Sequence, residues 1–191
     1  MGIISGINKY RLSLALILIT FQYSCQNNGY KTEYYDSGSK VTKGRLINGK
    51  REGKWVSWYD DGKLSGEYLY HDGKKDGSSK EWFENGKLKT LIKYKNGEFV
   101  DTMKFFFSNG QLNSIDYYTP MGVHNGEFTI WYENGNISQR GYYTLSKKDS
   151  TWRTYFKTGK IKSISHYNLG KEVNERITYN ENGDIVDRVS H

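Results

Sequence analysis

The chain is 191 residues long, with a formal charge of +7, 36% hydrophobic and 16% aromatic residues, 21 glycines and a single proline, Pro120. This usage excludes collagen-like and proline-rich disordered chains. A helical bundle is excluded too, because alanine occurs once (Ala15) and Leu, Met and Gln are sparse after residue 25. Tyr, Trp, Phe, Ile and Thr interleaved with Gly and Asn instead describe short strands joined by tight turns, an all-β chain.

In chain order, the first element is an address. Lys9 and Arg11 precede the apolar run from Leu12 to Phe21, followed by Gln22-Tyr23-Ser24-Cys25. A basic stretch, a short apolar run and a small residue before the cleavage point read as a secretory signal over residues 1–24. As a helix the run would span roughly 15 Å, about half a bilayer core, which disfavours a permanent membrane span. The sole cysteine cannot form an intrachain disulfide. Its placement resembles a bacterial lipoprotein signal, which implies that Cys25 is acylated and becomes the first mature residue. Gln26 after it resembles the sorting pattern for an outer membrane, so the expected location is the cell envelope. Residues 25–33 are polar and are expected to form a tether, with the folded domain over residues 34–191.

That domain is one unit written about seven times. An aromatic pair, two residues and a glycine recur, as in Trp58-Tyr59-Asp60-Asp61-Gly62 and Trp82-Phe83-Glu84-Asn85-Gly86. The glycines are Gly38, Gly62, Gly86, Gly110, Gly135, Gly159 and Gly183, so one step is 25 residues and the others 24. The extra residue is expected in Thr119-Pro120-Met121-Gly122. Eight residues after a glycine stands Tyr70, Tyr94, Tyr118, Tyr143 or Tyr167. Alternation such as Leu88, Thr90, Ile92, Tyr94 is the period-two mark of a half-buried strand. The Asn-Gly and Asp-Gly pairs at these glycines are hairpin signals in which both residues tolerate positive φ. The turn could hold two residues, pairing Phe83 with Leu88, or three with a glycine bulge, pairing Trp82 with Leu88. A second set of turns near Gly49, Gly73, Gly97, Gly122 and Gly170 closes the units. Ser146 to Ser150 replaces that glycine in one unit and is expected to form a looser turn. Each unit is thus a hairpin, and the hairpins add into an antiparallel meander.

The W-Y-x-x-G-K-L unit with a second glycine about nine residues on resembles the MORN repeat, in particular the variant of YwqK-family antitoxins. The resemblance covers residues 34–191. It implies an elongated, twisted, single-layer antiparallel sheet of about seven 24-residue hairpins. It also implies a protein-binding scaffold or dimerisation surface, or a membrane-lipid role, with an immunity role as a narrower form.

The first aromatic of each pair is expected to pack in the core, since a thin sheet needs large side chains to bury area. The second aromatics, Tyr35, Tyr59, Phe83, Phe107, Tyr132 and Phe156, and the tyrosine column are the candidate contact surface, since aromatics dominate binding hot spots. Turn lysines such as Lys63, Lys87 and Lys160, and the pairs Lys74-Lys75 and Lys147-Lys148, read as solubilising charges. Catalysis needs groups converging on one point; His71, His124, His166 and His191 share no repeat column. The chain therefore reads as a non-enzymatic envelope lipoprotein without metal or cofactor. Its expected partner is a protein or wall glycan, with a cognate toxin or a second copy as alternatives; the secretory signal argues against nucleic acid.

Overall fold

The computed structural model describes residues 28–191. The signal segment and Cys25 lie outside the described residues. The strands are β1 (Gly29–Tyr34), β2 (Lys40–Ile47), β3 (Lys50–Trp58), β4 (Leu64–His71), β5 (Lys74–Lys75), β6 (Gly77–Trp82), β7 (Leu88–Lys95) and β8 (Glu98–Phe99). They continue as β9 (Asp101–Phe106), β10 (Leu112–Tyr118), β11 (Gly126–Trp131), β12 (Ile137–Thr144), β13 (Lys147–Tyr155), β14 (Ile161–Asn168), β15 (Lys171–Tyr179) and β16 (Ile185–Ser190). All belong to one antiparallel sheet in sequence order, with the two-residue strands β5 and β8 off the main path. The expected all-β meander is therefore the fold.

The sheet begins at Gly29, inside the segment expected to be a tether. Asn28 and Gly29 stand 24 residues before Glu52 and Gly53, so this stretch is the closing half of a further repeat. Its side chain shows the equivalence: Asn28 Oδ1 accepts the amide of Asn48, as the Glu52 carboxylate accepts the amide of Asp72.

Two kinds of turn alternate along the two rims. At the first rim Gly62 N–H donates to the Tyr59 carbonyl and Tyr59 N–H to the Lys63 carbonyl, both within 2.9 Å. Only the glycine has positive φ (81°). This is the three-residue loop with a glycine bulge, and it sets Trp58 opposite Leu64 and Trp82 opposite Leu88. The residue before the glycine is thus not chosen for positive φ. Asp61 and Asn85 use their side chains to accept the amides of Lys63 and Lys87 at 3.0 Å. Positive φ at both central residues occurs at the second rim, in Asn48-Gly49, Asp72-Gly73, Asn96-Gly97, Leu145-Ser146 and Leu169-Gly170. These are the two-residue type I′ turns that match strand twist. Leu145-Ser146 is as tight as the others, contrary to the looser turn expected there. It is held by its neighbour repeat: Ser146 N–H donates to the His124 carbonyl at 2.8 Å, and Leu145 N–H to Asn125 Oδ1 at 3.2 Å. The extra residue does fall at Pro120, where Thr119 to Val123 form a three-residue bulged loop instead of a type I′ turn.

A single layer has no opposing layer, and the buried side chains show how it compensates. Trp55 (1% exposed) and Trp152 (3% exposed) are buried, and neither belongs to an aromatic pair. None of the first aromatics expected in the core is fully buried; Trp58, Trp82, Phe106, Trp131, Tyr155 and Tyr179 are half-buried and Tyr34 is exposed. They flank the rim turns, where fewer neighbours reach them. Trp55 instead lies on Gly44, and Trp152 on Gly141. Each indole N–H donates to the carbonyl after that glycine, Arg45 or Tyr142, at 3.2 Å. A Cβ added at Gly44 would stand 2.1 Å from Trp55 Cδ2, and one at Gly141 2.2 Å from Trp152 Cδ2.

Gly44→Ala and Gly141→Ala should therefore each destabilise the fold by about 3 kcal/mol through overpacking. Gly86→Asn, where an added Cβ meets nothing within 4 Å, should cost only about 1 kcal/mol. Chemical denaturation of the three variants checks the ranking, and equal losses would contradict it.

Candidate binding surface

The tyrosine column lies near the second rim, on the strand ends that enter the type I′ turns and, at Tyr118, the Pro120 loop. Register places each tyrosine opposite one member of a second column. Tyr70 pairs with Lys75, Tyr94 with Phe99, Tyr143 with Lys148 and Tyr167 with Glu172. Tyr118 meets His124 through a single bridge. That second column, which begins at Arg51, repeats at the same 24- or 25-residue step.

The two columns interleave into one row across the sheet. Ring centroids are 5.2 Å apart for Tyr94–Phe99 and 5.7 Å for Phe99–Tyr118. His124 stacks on Tyr118 at 4.8 Å and lies 3.9 Å from Tyr143. Tyr143 meets Trp152 edge-on at 5.0 Å, and Trp152 meets Tyr167 at 6.3 Å. Cations lie along it: Arg51 at one end, Lys75 between Tyr70 and Tyr94, and Lys148 between Tyr143 and Tyr167, with Glu172 opposite Tyr167 at the other end. The Arg51 guanidinium sits 4.3 Å from the Trp55 ring and 5.3 Å from Tyr70. Lys75 lies 4.6 Å from Tyr68 and 4.9 Å from Tyr94, and Lys148 4.5 Å from Trp152 and 5.1 Å from Tyr167. Each contact is an attraction between a cation and an aromatic quadrupole, worth about 0.5–2 kcal/mol.

At the centre of the row stands a buried Asp–His pair. His124 Nε2 is 3.2 Å from Asp116 Oδ1 with both side chains 14% exposed, yet that nitrogen makes no well-aligned hydrogen bond. Burial outweighs their mutual attraction. It pushes the Asp116 carboxyl up and holds the His124 imidazole below its ordinary range. Burial, followed by the Asp116 carboxylate, also raises the Tyr118 and Tyr143 phenols. Tyr68 is pushed up to about 12, first by burial and then by Glu81. The other histidines lie apart, His71 on Glu52, His166 on Thr151 and His191 on Glu172.

The second aromatics do not join this row. They sit beside the bulged turns at the opposite rim, roughly 20 Å away along the strands. Tyr35, Tyr59 and Tyr132 donate their hydroxyls to the carbonyls of Trp58, Trp82 and Tyr155, each the first aromatic of the next pair, at 3.1, 2.6 and 2.8 Å. These rings are stitches between repeats, Tyr59 and Tyr132 half-buried and Tyr35 exposed; Phe83, Phe107 and Phe156 occupy the same half-buried places without a hydroxyl to donate. The row's second column was legible as a fixed offset, five residues after each tyrosine and six across the Pro120 loop. The signal lies beyond the second turn, where strand pairing rather than local spacing joins the residues. Among the described residues, no three His, Cys, Asp or Glu side chains are placed to hold a metal ion. No helix there is long and apolar enough to cross a membrane.

These features define a class: an all-β repeat protein whose faces and rims extend unbroken from unit to unit. The family model of the MORN repeat variant matches residues 51–72, 75–96, 102–119, 125–144 and 148–169, more than half of the chain. The chain belongs to that family, which points to a repeat-based binding or scaffold role. No curated protein matches it.

The unfolded imidazole titrates near 6.5 and the buried one lower. Stability therefore falls as pH drops from about 6.5 through the folded pKa, because the unfolded state takes the proton first. Asp116 has the opposite sense: its folded carboxyl keeps the proton above 3.8, so its contribution is lost as pH rises through the raised pKa. His124→Phe should gain stability relative to the parent between about pH 7 and 5. Denaturant titrations at the two pH values check this, and a difference that does not change with pH would contradict it.

Proposed function

We propose that the protein is a non-enzymatic binding scaffold of a cell envelope, anchored through an acylated Cys25 and holding a macromolecular partner on the face that carries the row. The observation that supports this is the row itself: Arg51, Lys75 and Lys148 are interspersed along a half-buried line of Tyr70, Tyr94, Tyr118, Tyr143 and Tyr167. Tyrosine and arginine beside one another supply apolar area, hydrogen bonding and charge at low entropic cost, which suits a protein or acidic wall-glycan partner. The histidines' separate settings support a role in binding rather than turnover. No cofactor enters this reading, and neither does nucleic acid. Neutralisation of a cognate toxin is its narrower form, motivated by the likeness to YwqK-family antitoxins. Self-association through the open edges of β1 and β16, where Tyr30 and Val186 are exposed, is the competing one.

Affinity capture of the tagged protein from its own solubilised envelope tests the reading, with Cys25→Ser and Lys75→Glu/Lys148→Glu as comparisons. The expected result is a defined partner that the folded double variant loses. A single stoichiometric partner would fit the toxin form. Recovery of the same partner by the double variant, or of the protein alone, would contradict the use of the row.

A further inference from the structure

The face of the sheet away from the row is basic, and strand register shows how. Each of the fourteen strands on the main path places one residue on a line across the middle of that face, from Thr32 on β1 to Arg188 on β16. Six of these residues are cations, Lys43, Lys80, Lys104, Arg140, Arg153 and Arg188, and one is a carboxylate, Glu67. The neighbouring residues on the same strands form the matching line on the row's face, because successive side chains point to opposite faces. That line holds no cation and three acids, Glu33, Glu81 and Asp187.

Little of the positive charge is neutralised. Glu67 is taken by Lys54, a cation one row over, at 2.6 Å. Arg188 is paired with Glu175 at 2.8 Å, and Arg140 reaches Glu127 at 3.5 Å. Among the described residues, Lys80, Lys104 and Arg153 have no carboxylate within ion-pair distance, since the acids of this face are held by other cations. Arg140 and Arg153 are direct cross-strand partners. Like charges placed so repel and cost stability, and an anion held between the two guanidiniums turns that repulsion into attraction.

Apolar side chains stand among the cations. Val56, Leu91, Ile115, Ile164 and Ile177 are half-buried members of the same line. One row over, Leu69, Tyr117 and Tyr142 are exposed. Beside Arg140 a shallow hollow of about 250 Å³ is walled by Ile115, Tyr117, Trp131 and Ile137. A second, of about 230 Å³, lies between Leu69 and Lys80. Each hollow joins an apolar wall to a cation of the line.

We infer that this face binds a linear acidic polysaccharide laid across the strands, its carboxylates meeting the cation line and its sugar rings resting on the apolar residues between. The cations lie one to three strands apart, roughly 5–14 Å, which suits acids spaced along an extended chain. The Arg140–Arg153 pair offers the planar, bidentate grip that carboxylates favour. Tyr117 and Trp131 supply ring faces for the C–H faces of a pyranose. The inference concerns the face opposite the row and is independent of what the row holds and of acylation at Cys25.

The test is calorimetric titration of the full chain with polygalacturonate, with neutral dextran as the control polymer. Two double variants change the charge equally on opposite faces. Lys104→Glu/Arg153→Glu should weaken binding about tenfold or more. Lys75→Glu/Lys148→Glu, on the row, should change it less than about threefold. Both substituted residues of the first variant lie outside the buried core, so its chemical denaturation should match the parent's and separate lost binding from lost folding. Tyr117→Ser should weaken polygalacturonate binding several-fold and leave binding of inorganic polyphosphate, which has no sugar rings, unchanged. Absence of binding, equal binding of dextran, or an equal loss in the two double variants would overturn the proposal. So would a loss confined to Lys75→Glu/Lys148→Glu, which would place the glycan on the row instead. A Tyr117→Ser variant that loses both polymers alike, or neither, would overturn the ring contact and leave a site for bare polyanions.

Discussion

Everything in this fold depends on one constraint: a sheet of a single layer has no second layer to pack against, so its burial must be arranged within the layer. The chain meets this by laying a large ring over a neighbouring strand that has no side chain. Trp55 on Gly44 and Trp152 on Gly141 are the two clearest cases, each fixed by an indole hydrogen bond and covered by Arg51 or Lys148. Elsewhere the opposing residues trade size. Tyr68 faces Trp55 across the strands and covers Gly66, while Ser79 is a small buried residue at the tryptophan's place in the next unit.

Because each unit can bury its rings only against the next, stability is shared between neighbours, as in other repeat architectures. Both rims show this stitching. At one, tyrosine hydroxyls and the Asn85 and Asn134 amides reach carbonyls of the following repeat. At the other, the Glu52, Asn125 and Asp149 side chains accept the first amide of the following turn. The chemistry of such a molecule is laid out as lines. The Tyr–cation row is one such line. The Pro120 loop is where the regularity breaks, and it is also what brings His124 against Asp116 at the middle of the row.

Much of this was readable from the sequence. The glycine ladder dictates hairpins, and hairpins in sequence order dictate a meander, because each needs only its neighbours. The position of the extra residue was legible from Pro120. What local spacing misled on was burial: a column of aromatic pairs looks like a core, yet these rings stand beside rim turns. Trp55 and Trp152 are buried because a glycine lies across from them, and that pairing depends on register. Turn chemistry misled in the same way. Asn-Gly marks a type I′ turn in one column and a bulged turn in the other, and the number of loop residues decides which. Leu145-Ser146 shows a tight turn formed without the favoured residues, stabilised by hydrogen bonds from the preceding repeat that no local pattern displays.

The central claim, burial within one extended layer, is tested most directly by small-angle scattering on the chain from Gln26 onward. Fourteen strands lie along the main path of the sheet, so it should run roughly 60 Å across the strands, with a radius of gyration of roughly 20 Å. A value of about 15 Å, that of a compact globule of this length, would mean that the sheet folds onto itself and that its core is not confined to a single layer.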